Sequence, residues 1–291
     1  MPDLAEPEAR TETLPETRTE TLPDSRTETR TETRTETRTE AAGRFMRARA
    51  AVVAEADGRG GTRLAVLRGE SPLLLRRTGP RGTGGLTVHL VGGAAGPLRG
   101  DESRLDIEVG PGATLEMLSV AASLALPGRP GPPSRLTITA TVAAGGTLRW
   151  LPEPLIAAAG CDHITVTRVE VAEGGTLLWR DDLVCGRHGE PSGSVRADTT
   201  VRYAGVTLYR HELAVGPNAA GWDGAAVLGG GRAVGTLVAA GSGLPRPGSG
   251  GPNAAVMPLA GPGVLATAVG ADIREVRAAL DPFCGPAPLT A

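Results

Sequence analysis

Hydrophobic and polar residues alternate through much of the chain after about residue 44. Alternation with a period of two, rich in Val, Ile and Thr, is typical of half-buried β-strands. It predicts strands in five segments: Leu86–Val91, Leu105–Val109, Leu136–Val142, Ile164–Val171 and Val206–Leu213. Gly- and Pro-rich runs at 127–134 and 245–252 separate strand-like segments and predict loops.

A seven-residue motif recurs three times in this alternating region. The copies are VGPGATL at 109–115, VAAGGTL at 142–148 and VAEGGTL at 171–177. Each predicts a strand, a tight turn and a second strand, and the threonines Thr114, Thr147 and Thr176 are 33 and 29 residues apart. Near-equal spacing of similar units indicates stacked layers. The predicted fold is therefore all-β: an irregular β-superhelix, or stacked sheets of many strands.

About two short α-helices are predicted beside the strands. Near the end of the chain Asp272 can cap a helix and Glu275 follows it by three residues, a variant of the capping box. The helix would end at Asp281-Pro282, and one face would carry Ile273, Val276, Ala279 and Leu280. A shorter helix is predicted over Ser119–Leu126, which is rich in Ala and Leu.

The first 43 residues differ from the rest of the chain. Arg-Thr-Glu-Thr repeats fill residues 10–40 and offer no apolar face, which predicts a disordered tail before a single β-domain over 44–291. Residues 1–42 carry eleven acidic residues and six Arg, a net charge of −5, against +3 for the remainder. Neither value indicates the concentrated basic surface of a nucleic-acid-binding protein.

The composition excludes several functions. All 30 basic residues are Arg, so the chain lacks the Lys that a Walker A loop or a pyridoxal-phosphate site requires. No nucleophile elbow, dinucleotide-binding motif or metalloprotease motif is present, and we expect no enzymatic activity. Three Cys without a secretory signal, and no apolar run of ~18 residues, predict a cytoplasmic protein that does not enter membranes.

Two Cys and two His could form a metal site. Cys161 and His163 would face the same side of an extended segment, and Cys185 and His188 follow at the end of the next predicted strand. If the segments pair, the four side chains could bind Zn or Ni. The alternative is that both Cys are small buried residues and both His are loop or surface residues.

Two carboxylates occupy rigid turns. Asp101 ends a Gly-rich turn, and Glu153 lies between two prolines in Trp150-Leu-Pro-Glu-Pro154. Such a carboxylate can bind a cation or can accept hydrogen bonds from backbone amides, which is the commoner role.

The order of several motifs resembles the UreD family of urease accessory proteins, called UreH in some bacteria. The matching segments are Gly96-Pro-Leu-Arg-Gly-Asp101, Leu105–Ala113, Leu118–Ser123, Leu148–Ile156 with Gly160, and Leu177-Leu178 with Gly186-Arg187. The chain resembles a divergent, actinobacterial-type member, since Arg99, Leu124–Leu126 and Ala157–Ala159 depart from the family pattern.

The resemblance implies a non-enzymatic maturation factor. Such a protein would bind apo-urease and the complex of UreF with the GTPase UreG, and would assist nickel delivery through an internal polar channel. It would bind no cofactor tightly, although Ni²⁺ could bind transiently. Asp101 and Glu153 would be polar channel or partner-facing residues, with a structural role in their turns as the alternative. Two alternative hypotheses remain. The second is a non-enzymatic β-solenoid scaffold for another metal-centre assembly pathway, and the third is an enzyme with an unrecognised carboxylate pair.

Overall fold

The computed structural model describes residues 45–79, 84–241 and 253–285. The predicted disordered tail, residues 1–43, and the loop predicted at 245–252 lie outside these residues. The described residues belong to one compact unit, and most of them lie in strands, as the alternation predicts. No described helix is long and apolar enough to cross a membrane.

The described residues form seventeen strands and one helix. In chain order they are β1 (Arg47–Ala56), β2 (Thr62–Gly69), β3 (Leu73–Thr78), β4 (Leu86–Gly92), β5 (Glu102–Val109), β6 (Thr114–Ser119), β7 (Ser123–Ala125), β8 (Ser134–Val142), β9 (Thr147–Leu151), β10 (Leu155–Ala157), β11 (Asp162–Val171), β12 (Thr176–Cys185), β13 (Ser194–Tyr203), β14 (Val206–Val215), β15 (Ala233–Ala240), β16 (Ala254–Pro258), β17 (Gly263–Gly270) and α1 (Ile273–Cys284).

Two sheets contain all of these strands. The seven-stranded sheet has the order β14-β13-β11-β8-β5-β1-β2. The ten-stranded sheet has the order β16-β17-β15-β12-β9-β6-β4-β3, and β10 and β7 extend it beside β12. The predicted stacked sheets of many strands are confirmed.

The three sequence motifs are the turns that carry the chain from one sheet to the other. They join β5 to β6, β8 to β9 and β11 to β12. The turns lie directly on one another, since the amide of Ala143 donates to Val109 O (2.9 Å) and the amide of Ala172 donates to Val142 O (2.8 Å). The strands they connect form parallel, in-register ladders in both sheets. The predicted stacking of the motifs is therefore confirmed.

Large aliphatic residues fill the space between the sheets near these turns. The seven-stranded sheet contributes Leu105, Ile107 and Ile138, and the ten-stranded sheet contributes Leu115 and Leu148, all at most 2% exposed. Burying one such side chain stabilises the fold by about 1.5–3 kcal/mol. Because the chain has only seven aromatic residues, Leu, Val, Ala and Ile form most of this core.

Pro152 and Pro154 divide what would otherwise be one strand. β9 pairs with the first half of β12, and β10 pairs with its last three residues. Proline cannot donate a ladder hydrogen bond, so the Pro-Glu-Pro segment leaves the sheet between these two pairings. The segment therefore separates two pairings of β12 that would otherwise be continuous.

Helix α1 begins as predicted but ends later. The Asp272 side chain accepts hydrogen bonds from the amides of Arg274 and Glu275, and Val276 and Leu280 are buried against the ten-stranded sheet. The prediction that the helix ends at Asp281-Pro282 was wrong, because it continues to Cys284 with Pro282 inside it. Pro282 removes one helical hydrogen bond, but Arg149 Nη2 donates to the Cys284 carbonyl (2.8 Å) and holds the last turn.

The second predicted helix, over Ser119–Leu126, is not present. Its residues form the end of β6, a bend and the short strand β7, which pairs with β10. A short apolar run does not distinguish a helix from a buried strand. Here the buried Ala125 and Ala157 lie on the two paired strands, and this tertiary pairing decides the outcome.

Candidate functional site: a cavity between the sheets

A cavity of about 530 Å³ separates the two sheets on the side away from the stacked turns. Near the turns one row across the seven-stranded sheet contains Ile107, Ala140, Val169, Val201 and Tyr209, which are buried. Farther along the strands the corresponding row contains Ser103, Leu136, Thr165, Ala197 and Leu213, which line the cavity. Most residues of the second row are smaller or more polar than their counterparts in the first, so they fill less of the space between the sheets.

Asp181 lies on the cavity wall and joins two tryptophans. Its Oδ1 accepts a hydrogen bond from Trp150 Nε1 (3.2 Å), and its Oδ2 accepts one from Trp179 Nε1 (2.8 Å). The indole rings stack at a centroid distance of 4.8 Å and an angle of 13°. Trp179 and Asp181 face the same side because alternate residues of a strand do, and Trp150 lies beside Trp179 in the parallel ladder.

The surroundings of Asp181 disfavour its negative charge. Burial raises the pKa of Asp181 to about 6, the two indole hydrogen bonds act in the opposite direction, and the charge of Asp182 adds to the increase. Burial and the charge of Asp181 also raise the pKa of Tyr209 to about 12. Within the described ranges Asp181 takes part in no ion pair, so its charge is stabilised only by neutral donors.

The adjacent residue, Asp182, also borders the cavity, but its carboxylate lies close to the packed face of α1. Arg180 Nε lies 3.0 Å from each Asp182 oxygen, and Arg180 Nη1 lies 2.6 Å from Asp281 Oδ1. The Asp182 side chain is 1% exposed and Arg180 is 8% exposed, so this is a buried ion pair. Since Asp182 is neutralised by Arg180, Asp181 is the carboxylate of β12 that retains an unpaired charge.

Both carboxylates predicted from the sequence border the cavity. Asp101 is buried, and it accepts backbone hydrogen bonds from Met46 N at Oδ1 and from Leu98 N at Oδ2, each of 2.9 Å. It therefore closes its own turn and fixes the start of β1. Glu153 forms an ion pair with Arg277 of α1, and its amide donates to Ser119 Oγ (2.8 Å). The predicted alternatives for these residues, a role in the turn and a place in the cavity, are thus both compatible with their positions.

The four predicted metal ligands do not form a metal site. Cys161 and Cys185 belong to an apolar cluster, where burial raises the pKa of each thiol to about 11 and opposes the thiolate that a metal needs. His188 is exposed on a loop. Among the residues that the structure describes, no group of three or more His, Cys, Asp or Glu side chains could hold a metal ion. The four side chains therefore form no such group: His163 is buried in the cavity wall, whereas His188 is exposed on its loop.

His163 lies in the cavity wall as a neutral side chain. Its Nδ1 is 2.9 Å from Ser134 Oγ and its Nε2 is 3.1 Å from Thr165 Oγ1. Burial lowers the pKa of His163 to about 4. Each ring nitrogen is hydrogen-bonded to a hydroxyl group, so the His163 ring is held in one orientation in the cavity wall.

Asp181 and the tryptophan pair were missed in the sequence. The signal was available, since Trp150 and Trp179 each follow the threonine of their motif, Thr147 or Thr176, by three residues. Stacking of the motifs must then stack the tryptophans, and Asp181 follows two residues later on the same face.

A second depression, of about 720 Å³, lies beside the stacked turns and is open to solvent. It contains Glu55, Glu108 and Glu170. Glu55 pairs with Arg63, and Glu170 lies 3.6 Å from Arg202, so two of its three carboxylates are compensated. The cavity between the sheets is therefore the better candidate site.

Comparison with known proteins gives a consistent result. The family described as UreD urease accessory protein matches residues 46–286. Urease accessory protein UreD 3 of Streptomyces griseus is 47% identical over 243 residues, which cover 81% of this chain and 95% of the relative. UreD of Frankia alni is 42% identical over 280 residues (83% and 93%), and UreD of Streptomyces coelicolor is 46% identical over 242 residues (81% and 94%).

Proposed function

The chain belongs to the UreD family of urease accessory proteins, and from this premise we propose that it assists nickel delivery to the urease active site. Family membership assigns it a role in urease maturation. In the proposed mechanism the protein acts in the cytoplasm, binds apo-urease and the UreF–UreG complex, and catalyses no reaction itself. Nickel is its cargo, bound transiently, and no cofactor is held tightly.

The observation that carries this proposal is the unpaired carboxylate of Asp181 in the cavity. A negative charge stabilised only by indole N–H groups attracts a cation more strongly than one already paired with Arg. Carboxylate oxygens are hard donors, which suit brief contact with a divalent ion that must be released. Cys161 and Cys185, whose thiolates would be softer and tighter ligands, lie in an apolar cluster and do not line the cavity.

Deletion of the gene, followed by urease assays with and without added nickel, tests the proposal. We expect urease activity to fall by roughly tenfold or more in ordinary medium, and partial recovery with excess nickel, because a delivery factor raises the local supply of metal. Complementation with the wild-type gene is the control. Unchanged urease activity in both media would contradict the proposed function.

Complementation with Asp181→Asn addresses the cavity itself. Asparagine keeps the shape of the side chain and removes its charge, so we expect the urease apoprotein to be bound normally but activated poorly. If the wild-type chain co-purifies with neither apo-urease nor the UreF–UreG complex, the alternative of a scaffold for another metal centre replaces this proposal.

A further inference from the structure

Strand β14 ends the seven-stranded sheet and has a neighbour on one side. It pairs with β13, and no other described strand meets its second edge. The strand is ten residues long, and beyond a bulge near Thr207 its pairing with β13 is regular from Tyr209 to Val215. A long edge strand presents a row of unpaired N–H and C=O groups, to which another strand can add.

Three consecutive residues in the regular part of β14 are exposed: Arg210, His211 and Glu212. Arg210 and Glu212 project from the outer face of the sheet, and His211 projects from the inner face, where it lines the cavity. The ring of His211 lies beside that of Tyr209, with the ring centroids 6.1 Å apart. Within the described part of the chain, neither Arg210 nor Glu212 forms an ion pair. The outer face of this edge strand therefore carries a cation and an anion that are two positions apart and are both available to another molecule.

Charged residues on an edge strand usually prevent strand addition, but these two do not oppose pairing with an identical strand. In an antiparallel pair, residues directly opposite one another project from the same face. If two copies of β14 pair about His211, Arg210 of each copy faces Glu212 of the other. A centre of pairing at Arg210 or Glu212 would instead place two like charges opposite each other. A shift by one residue would bring the outer face of one sheet beside the inner face of the other, so the charge pattern favours pairing about His211.

We propose that two copies of this chain associate by antiparallel pairing of their β14 strands about His211, which joins the two seven-stranded sheets into one. The occupant of the free edge is a second copy, because the spacing of Arg210 and Glu212 about His211 is complementary to itself. Such an interface is isologous, so each contact is made twice. The two His211 side chains become cross-strand neighbours on the inner face, and the second copy thereby contributes an imidazole beside each cavity. This association is independent of the proposed role in urease maturation.

The association should be weak and sensitive to salt. Strand pairing along a single edge buries little surface, and interfaces that bury less than about 1,200 Å² belong to transient complexes. The two ion pairs would lie at exposed positions, so dissolved salt screens them. We therefore expect a dimer with a dissociation constant of roughly 1–100 μM, which dissociates as the ionic strength rises.

Charge reversal on β14 tests the proposal with the full-length chain. Sedimentation velocity at low ionic strength, over a range of protein concentrations, measures the wild-type dimer. Arg210→Glu leaves carboxylates at all four facing positions and Glu212→Arg leaves guanidinium groups there, so we expect each variant to dimerise at least roughly tenfold more weakly. Both positions are exposed, so folding should be unchanged, which circular dichroism checks. Glu108→Arg, exposed on the outer face of the central strand β5, is the matched control and should dimerise as the wild type does.

A mixture of the two charge-reversal variants tests the arrangement of the strands. An equimolar mixture of Arg210→Glu and Glu212→Arg should form a heterodimer, since every carboxylate of one variant then faces a guanidinium group of the other. The double variant Arg210→Glu/Glu212→Arg should likewise recover the wild-type dimer. A wild-type chain that stays monomeric at every concentration overturns the inference, as do single variants that dimerise like the wild type. Loss of the dimer in both single variants without recovery in the mixture overturns antiparallel pairing about His211.

Discussion

At the scale of single residues, the main feature is a carboxylate whose described hydrogen-bond donors are two uncharged indoles. Asp181 is held on both oxygens by Trp150 and Trp179, whereas the adjacent Asp182 is neutralised by Arg180. The two aspartates are neighbours in sequence and differ because alternate residues of β12 face the cavity and the helix. This difference in environment gives the cavity its unpaired negative charge.

The pH dependence of stability should reveal this charge. Burial raises the pKa of Asp181 from 3.8 to about 6, so the folded protein binds a proton there more tightly than the unfolded chain. Its contribution to stability is therefore fully present below about pH 4 and is lost as pH rises through about 6. The loss is at most about 3 kcal/mol for two pKa units.

Comparison with Asp181→Asn isolates the effect, because asparagine does not titrate and all other groups are shared. We expect the stability of the wild type relative to this variant, measured by urea unfolding at several pH values, to decline between about pH 4 and 6. A difference that does not change with pH would show that the pKa of Asp181 is not raised.

At the scale of secondary-structure elements, α1 depends on ionic contacts as well as apolar packing. Val276 and Leu280 pack on the sheet, and at the other end of the helix Arg180 contacts both Asp182 and Asp281. The two contacts tie α1 to β12, and Arg180 and Asp281 are 101 positions apart in sequence. They explain why the helix continues through Pro282, although the local sequence predicts a stop.

Arg180→Met should destabilise the protein by about 3–5 kcal/mol, because it leaves Asp182 buried without its partner. Methionine keeps most of the aliphatic length, so loss of packing contributes little. Arg274→Met removes an equally charged residue whose side chain is 88% exposed and should cost less than about 1 kcal/mol. Chemical denaturation of the two variants measures the difference, and equal losses would show that the buried pair does not hold the helix.

The elements differ in how far local sequence determines them. Alternation predicts β5, β8 and β11, and the repeated motifs predict their stacking, because the strand period and the Gly-containing turns are local signals. The strand β7 could not be predicted, since only its pairing with β10 distinguishes it from a helix.

The residues of the candidate site also differ in how far local sequence identifies them. Asp101 and Glu153 lie in locally rigid turns and could be identified, whereas the isolation of Asp181 depends on how two strands and a helix pack.

At the scale of the whole molecule, side chains fill the space between the two sheets at one end, and a cavity separates the sheets at the other. Stacked turns and large aliphatic residues fix the separation of the sheets where β5 joins β6 and β8 joins β9. Smaller inward residues and loops leave the other end open, with Asp181 on the cavity wall. The fold therefore combines a rigid support with an accessible interior, which is the arrangement that passage of a small cation requires.

A large side chain placed in the cavity should separate the proposed passage of nickel from the binding of partner proteins. Ala197 lines the cavity on β13, opposite the ten-stranded sheet, and Ala197→Phe would place a ring in the open space between the sheets. We expect normal folding and normal retention of apo-urease and the UreF–UreG complex, but a loss of roughly tenfold or more in urease activation, because the ring obstructs the proposed route for nickel. Ala65→Phe, on the exposed side of the edge strand β2, is the matched control and should activate urease as the wild type does. Full activation by Ala197→Phe would mean that nickel does not pass between the sheets.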